Sequence, residues 1–416
     1  MTVLEEYLAR TTRSRALFER ATRSLPGGST RTTVYGAPYP PYLVEGDGLR
    51  VRDVDGNEYR DFLGNYTALI LGHAHPAVVA AVTAQVRRGS AFGAPTEVEV
   101  ELAEELCRRL PSLERLRFTA SGTEATMFAL RAARAFTGRD LVARFERAYH
   151  GTHDVALAGT PGVPLALRGS VVELPWGDRE GVARALAGRE RDVAAIIIEP
   201  VQGAGGIRAA EPAFLAFLRE LADRSGALLI FDEIISFRVG PGGVQERVGV
   251  RPDLTTLGKI IGGGYPLAAF GGRADVMEQF DARRGGGLSH GGTYNGAPVA
   301  AAAGLATLGE LTPPRYVELD RRGARLREAV ARGFGAGSGG SRIEGVASLF
   351  QVWAGGSAVA PAGLEPSEFW LGLLLDGFYL APRGMGALAT PATDRDVDEL
   401  AAAILRRARV GEAIPA

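Results

Sequence analysis

Apolar positions along the chain follow two rhythms. In Glu5–Leu25, the spacing of Leu8, Leu17, Phe18 and Leu25 predicts an amphipathic helix that stops at Pro26-Gly27-Gly28. Residues 42–62 read as short strands joined by the turn Asp55-Gly56-Asn57. From residue 76 onward helices and strands alternate. Helices are expected at Pro76–Arg88, at Thr96–Leu110 with capping-box spacing between Thr96 and Glu99, at Thr123–Phe136 closed by Gly138, and at Ala297–Leu311. Arg115–Thr119, Leu254–Leu257 and Leu267–Phe270 read as strands. The apolar runs Val193–Ile198 and Ala227–Phe231 flank the helical stretch Pro212–Ser225, which is long enough for a right-handed parallel crossover. The fold class is therefore α/β, a mostly parallel, doubly wound sheet. Pro313-Pro314 reads as a boundary. Beyond it, helices at Tyr316–Gly333, Ser367–Asp376 and Asp394–Arg407 alternate with short strands, and glycine-rich surface connections are expected at 334–341 and 354–364. The predicted organisation is an N-terminal segment 1–75 that packs with a small α+β domain 313–416, and a large ligand-binding domain 76–312.

Composition narrows the function. The 416 residues are 46% apolar and 23% charged, which excludes a wholly disordered chain. With 47 basic and 48 acidic side chains the net charge is −1, so no electrostatic case exists for nucleic acid or an anionic membrane. The single cysteine, Cys107, excludes an internal disulfide and a multi-cysteine metal site. No apolar run approaches the roughly 18 residues of a membrane span, and the N-terminus, with Glu5 and Glu6, lacks signal-peptide character. A soluble, cytoplasmic protein is expected. His73, His75, His150 and His153 have no third ligand at suitable spacing, so no metal site is expected.

One basic residue stands apart. Of the 47, only Lys259 is lysine. A GC-rich genome explains why lysine is scarce but not why this one remains. An amine that must lose its proton and attack a carbonyl cannot be replaced by a guanidinium.

Ligands bind open α/β sheets at the carboxyl ends of the strands, and three features fall there. Ser121-Gly122-Thr123-Glu124 joins a strand to a helix, where glycine and free N–H groups suit a phosphate; Ser121 and Glu124 also have capping-box spacing. Asp232 ends the apolar run LLIFD, and a buried carboxylate needs a cationic or hydrogen-bonding partner. It is either a structural cap or ion pair, or the partner of a ligand cation. Glu199, ending IIIE, reads as structural or supporting. Lys259 follows another strand among glycines. A phosphate turn, a buried acid and a unique lysine at one sheet edge fit pyridoxal phosphate, whose aldehyde condenses with a lysine amine and whose ring nitrogen needs an acid.

The blocks RFTASGTEATMFALRAAR, YHGTHD, IIIEPVQGAGGI, LLIFDEIISFR, DLTTLGKIIGGGYPLAAFGGR and HGGTYNGAP occur in this order. With them the chain resembles the class III, fold type I pyridoxal-phosphate-dependent aminotransferases across essentially its whole length. LILGHAHP and the lysine segment are similar to glutamate-1-semialdehyde aminomutase. PGGSTRTTVYGAPYP and YLAPRG are more similar to β-amino-acid aminotransferases of the β-phenylalanine type. The resemblance implies that Ser121, Gly122 and Thr123 hold the phosphate, that Tyr149 stacks on the pyridine ring with His150 beside it, and that Ile234 packs the opposite face. It further implies that Asp232 pairs with the ring nitrogen, that Lys259 carries the cofactor, and that Glu199 and Gln202 lie near its phenolic oxygen. Thr293 would reach the phosphate in a neighbouring subunit, which implies a homodimer with shared sites, and His290 would support the Thr293 loop.

Arg31 matches the carboxylate binder of the β-amino-acid family, and Arg383 matches an arginine that swings in to bind the acceptor's second carboxylate. Tyr35, Tyr39 and Tyr66 are candidates for the side-chain pocket and equally for core packing. The stretch GMGALATPAT after Arg383 is smaller and less apolar than β-phenylalanine enzymes lead one to expect, and the acidic F-E-A-G-F segment of the aminomutase is missing. The expected activity is transfer of an amino group from a β-amino acid to a 2-oxo acid, 2-oxoglutarate or pyruvate. The alternatives are an aminomutase of the glutamate-1-semialdehyde kind, and a non-catalytic binding protein on the same fold.

Overall fold

The computed structural model describes residues 1–285, 287–335, 340–354 and 365–409. Residues 336–339 and 355–364, the centres of the two expected glycine-rich connections, lie outside the described residues. The chain forms two compact units, Pro76–Tyr316 and Met1–His75 with Val317–Ala416. The division falls inside the helix Pro313–Phe334, which Pro313 opens because a first-turn residue needs no N–H partner.

The Pro76–Tyr316 unit is built on a seven-stranded sheet in the order Arg115–Thr119, Ala268–Gly272, Leu254–Leu257, Leu228–Asp232, Val193–Ile198, Leu141–Phe145, Val171–Leu174. Ala268–Gly272 runs antiparallel to both neighbours, and the other six strands share one direction. Leu141–Phe145 and Val171–Leu174 were not among the expected strands. Arg144 and Glu173 interrupt their apolar patterns and pair with each other at 3.4 Å. The helix Gly122–Thr137 buries Ala125, Ala129, Ala132 and Ala133, and these small side chains let it lie close to the sheet beside the stacked rings of Phe128 and Phe270.

The helix Pro298–Glu310 approaches the segment after Leu254–Leu257 even more closely. A Cβ on Gly304 would fall 2.0 Å from the Ile261 carbonyl oxygen, and one on Gly263 would fall 2.3 Å from that of Ala303. Helix and loop meet backbone to backbone, which fixes the position of Lys259.

In the other unit, Leu43–Asp47, Arg50–Asp53 and Glu58–Asp61 form an antiparallel meander that Phe378–Tyr379 joins in parallel. A second sheet contains Arg342–Val346, Leu349–Trp353 and Met385–Ala387. The single helix expected over Glu5–Leu25 is instead two, Val3–Arg10 and Thr12–Ala21. Thr11 breaks it with φ −129°: its hydroxyl donates to the Tyr7 carbonyl (2.6 Å) and lies 3.0 Å from the Tyr39 hydroxyl. Tyr39 is core, stacked on Phe18 and tilted against Tyr7.

The helix Pro298–Glu310 provides its own control. Gly304→Ala should lower the stability of the protein by about 1–3 kcal/mol, because no space exists for the methyl group. At Gly309 nothing lies within 4 Å of an added Cβ. There alanine should raise stability by up to about 0.5–1 kcal/mol through chain entropy. Urea melts of the two variants check the opposite signs.

Candidate active site

Six strands pointing one way deliver their carboxyl ends to one edge of the sheet. Ser121 follows Arg115–Thr119, Tyr149 and His150 follow Leu141–Phe145, and Glu199 follows Val193–Ile198. Asp232 is the last residue of its strand, and Lys259 follows Leu254–Leu257. The cofactor-binding residues expected from the sequence on these segments therefore come together from five separated stretches of chain.

Asp232 is at the centre of a buried network. Its Oδ2 lies 2.8 Å from His150 Nδ1, and both side chains are 2% exposed. An ionised carboxylate only accepts, so the Nδ1–H donates. Its Oδ1 accepts from the Thr256 hydroxyl (3.0 Å) and from the Ile234 N–H (3.2 Å). Thr256 was missed by sequence reasoning. Its signal is a polar residue in a wholly buried strand, set opposite Asp232 by the parallel register. Thr126, also missed, donates to the His150 carbonyl at 2.6 Å and positions the ring. Burial, with a smaller contribution from His150, lowers the His153 pKa to about 4, so this neighbour is neutral.

The Ser121 turn forms the capping box that its spacing predicted. Ser121 caps the helix Gly122–Thr137: its Oγ accepts from the Glu124 N–H (3.3 Å), while Glu124 Oε2 accepts from the N–H groups of Ser121 (2.9 Å) and Ala120 (3.0 Å). First-turn N–H groups have no partner inside a helix, so Gly122 and Thr123 present donors that suit an anion. Ile234 lies over this start, since a Cβ on Gly122 would fall 2.7 Å from Ile234 Cδ1. Gly151 packs as tightly against Thr123, whose Oγ1 accepts from the Thr152 N–H at 3.3 Å.

Lys259 has φ +50°, a left-handed conformation that costs a non-glycine residue about 1–3 kcal/mol. Tyr149 is 52% exposed, and its N–H donates to Glu199 Oε2 (2.9 Å), whose Oε1 accepts from Gly203 N–H (3.0 Å). Gln202 donates to the Glu146 carbonyl at 2.7 Å. Thr293 is exposed, beside the 63% exposed Tyr294. Phe128, Phe270 and Phe280 surround His290 edge-on, at 4.5–6.2 Å between ring centres.

The expected substrate residues all lie in the other unit. Arg31 Nη1 donates to Asn65 Oδ1 (2.8 Å), and its guanidinium lies 6.0 Å from the Tyr66 ring centre. The Tyr66 hydroxyl donates to the Thr33 carbonyl. Burial raises the Tyr66 pKa, and the nearby charges of Arg383 and Arg31 lower it. Arg383 Nη2 lies 3.1 Å from the Met385 sulfur. Tyr35 packs on Phe18 at 6.3 Å between ring centres.

Two buried polar atoms at the strand-end site, His150 Nε2 and Gln202 Oε1, have no protein partner. Buried polar atoms are nearly always hydrogen-bonded. Together with the helix start and the held carboxylate they fit a phosphate-bearing pyridine such as pyridoxal phosphate.

The family model "Aminotransferase class-III" matches residues 34–332. A glutamate-1-semialdehyde 2,1-aminomutase from Sorangium cellulosum is 42% identical, with 94% of this chain and 94% of that protein covered. Among solved structures, an omega-transaminase from Sphaerobacter thermophilus is 42% identical with a TM-score of 0.89, covering 95% of this chain and 98% of that one. A beta-phenylalanine aminotransferase from Variovorax paradoxus is 35% identical with a TM-score of 0.89, covering 97% and 95%.

Glu199 generates a pH signature. Burial above all, and the Asp232 charge, raise its pKa from 4.5 to about 7, against the lowering effects of His150 and two backbone N–H groups. The folded protein then holds a proton that the unfolded chain releases between those two values. The stability this contributes is complete below about pH 4.5 and is lost as pH rises through 7, a difference on the order of 3 kcal/mol. Urea midpoints from pH 5 to 8 should fall more steeply for wild type than for Glu199→Gln; equal slopes would contradict this.

Proposed function

Because this chain belongs to the class-III aminotransferases, pyridoxal-phosphate-dependent enzymes, we propose that it moves the amino group of a β-amino acid to a 2-oxo acid. The acceptor would be 2-oxoglutarate or pyruvate, taken up in a ping-pong cycle. The observation that carries this reading is Arg31, whose guanidinium is held by Asn65 (2.8 Å) and lies 6.0 Å from the Tyr66 ring centre, in the unit that also carries Arg383. A donor with one carboxylate and an acceptor such as 2-oxoglutarate with two need cationic forks that can serve each in turn. The similarity to the solved beta-phenylalanine aminotransferase supports it, and the omega-transaminase supports amino transfer in general.

The remaining roles follow from the residues. When bound, pyridoxal phosphate supplies an aldehyde that takes up the amino group and a ring that accepts electrons from the substrate carbon. The N–H groups of Gly122 and Thr123 would hold the phosphate, with Ser121 keeping their helix capped. Asp232, kept anionic by His150, Thr256 and the Ile234 N–H, would hold a proton on the ring nitrogen. Tyr149 and Ile234 would cover the two ring faces. Glu199 orients the Tyr149 backbone, and Gln202 would donate or accept at the phenolic oxygen side. Lys259 would carry the cofactor and, once released, move a proton between the substrate carbon and the cofactor's aldehyde-derived carbon through Nζ. Thr293 would act on a second subunit, making the working enzyme a homodimer.

A second reading is an aminomutase acting on glutamate 1-semialdehyde. By their names, curated relatives 40–44% identical to this chain weigh more heavily toward it than toward β-amino-acid transfer. Arg383 in the segment APRG, and the lack of the aminomutase's acidic F-E-A-G-F segment, favour the exchanged acceptor. The third alternative, a binding protein without catalysis, is not kept, because the family and the relatives are enzymes.

Two measurements decide between these readings, and a third tests the chemistry they share. Omitting the 2-oxo acid should abolish sustained turnover of a β-amino acid; turnover of glutamate 1-semialdehyde without an acceptor would instead establish the aminomutase. Arg383→Ala should raise the KM for 2-oxoglutarate about 10–100-fold while sparing pyruvate. Lys259→Ala should lower kcat by about 10²–10⁴-fold or more in either case.

A further inference from the structure

We propose that Asn65 is the positioning residue that aims Arg31 at the substrate carboxylate, and that it does so from a left-handed helical turn. The inference rests on the reading of Arg31 as a carboxylate binder.

Gly64, Asn65, Tyr66 and Thr67 follow one another at φ +54°, +49°, +56° and +75°. The Thr67 N–H donates to the Leu63 carbonyl (2.9 Å), and the Leu69 N–H donates to that of Gly64 (3.0 Å), which closes a full left-handed turn. L-residues avoid this conformation, and runs of it are rarer still. Asparagine is among the few residue types that enter it readily; tyrosine and threonine are not. The segment is held by its surroundings. Asp61 Oδ1 accepts from the N–H groups of Leu63 (2.8 Å) and Gly64 (2.9 Å), its Oδ2 lies 2.7 Å from His73 Nε2, and its side chain is 4% exposed.

The handedness of the turn brings two successive side chains onto one neighbouring segment. Asn65 Oδ1 takes Arg31 Nη1, and the Tyr66 hydroxyl takes the Thr33 carbonyl, so the segment is held on both sides of Thr32. The Asn65 bond is exposed, and exposed polar pairs contribute little to stability. Its effect is directional. With Nη1 engaged, no other hydrogen-bond partner of the Arg31 guanidinium exists among the described residues. The Nε–Nη2 edge is left to donate two parallel bonds, the geometry that suits a carboxylate. A neutral amide fixes the fork without cancelling its charge, as an acidic partner would.

The test compares β-phenylalanine with 1-phenylethylamine, an amine with the same aryl group and no carboxylate. Glycine keeps the left-handed backbone at no steric cost, so Asn65→Gly should fold and bind cofactor, as checked by melting and cofactor absorbance. The ratio of kcat/KM for the acid over the amine should fall about tenfold, mainly through KM. In an Arg31→Ala background, adding Asn65→Gly should lower the ratio no further. Equal losses on both substrates, or additive effects of the two changes, would overturn the assignment. If wild type does not prefer β-phenylalanine, the β-amino-acid reading fails by itself, and the ratio is taken with the best carboxylate-bearing donor the enzyme accepts. If it accepts none, the role of Asn65 falls as well.

Discussion

A carboxylate at the end of a buried strand must find donors or lose its charge, and the strand-end site is organised around this requirement. Asp232 takes them from three sources: Thr256 on the adjacent strand, the N–H of Ile234 just past its own strand, and His150 from the segment that follows the strand two places away in the sheet. An isolated buried ion costs several kcal/mol, whereas one with charge-assisted hydrogen bonds is tolerated. The position of Leu228–Asp232 inside the parallel part of the sheet is what allows donors to arrive from both sides. The same crowding raises the pKa of Glu199, a second buried carboxylate close enough to feel the first.

Strain and close packing are concentrated at the residues with chemistry. Lys259 sits left-handed in a glycine-rich loop pressed against the helix Pro298–Glu310, with backbone contacts at Gly263 and Gly304 that admit no side chain. Gly122 and Gly151 are close-packed at the helix start for a similar reason: Ile234 and Thr123 occupy the space a methyl group would need. Rigid surroundings of this kind hold a residue in a conformation it would otherwise leave.

Much of this was legible in the sequence. The central strands are wholly apolar, and glycine, proline and capping residues punctuate the helices, so the α/β class and most elements followed from pattern alone. The resemblance to class-III aminotransferases, carried by several ordered blocks, agrees with the family match over residues 34–332. What escaped has physical causes. Charged residues that pair across two strands of the sheet hid Leu141–Phe145 and Val171–Leu174. Thr256 matters through strand register, which periodicity does not encode. Asn65 matters through a backbone handedness that helical spacing rules assume away. Thr11 split a helix because its hydroxyl competes for the backbone, a tendency threonine has but does not always express.

The threading of the chain has a consequence for its synthesis. Pro76–Tyr316 is continuous, so one unit can collapse as soon as it leaves the ribosome, whereas the other is assembled from both extremities. The backbone just before Gly64 is pinned by Phe378–Tyr379: the Arg60 and Phe62 N–H groups donate to the Gly377 and Tyr379 carbonyls at 2.8 and 2.9 Å. That partner emerges some three hundred residues later, and closing so long a loop is slow. Glu58–Asp61 can pair with Arg50–Asp53 at once, but its outer edge must wait for Phe378–Tyr379 to be made. A lesion that removes Phe378–Tyr379 would thus damage a segment made some three hundred residues earlier.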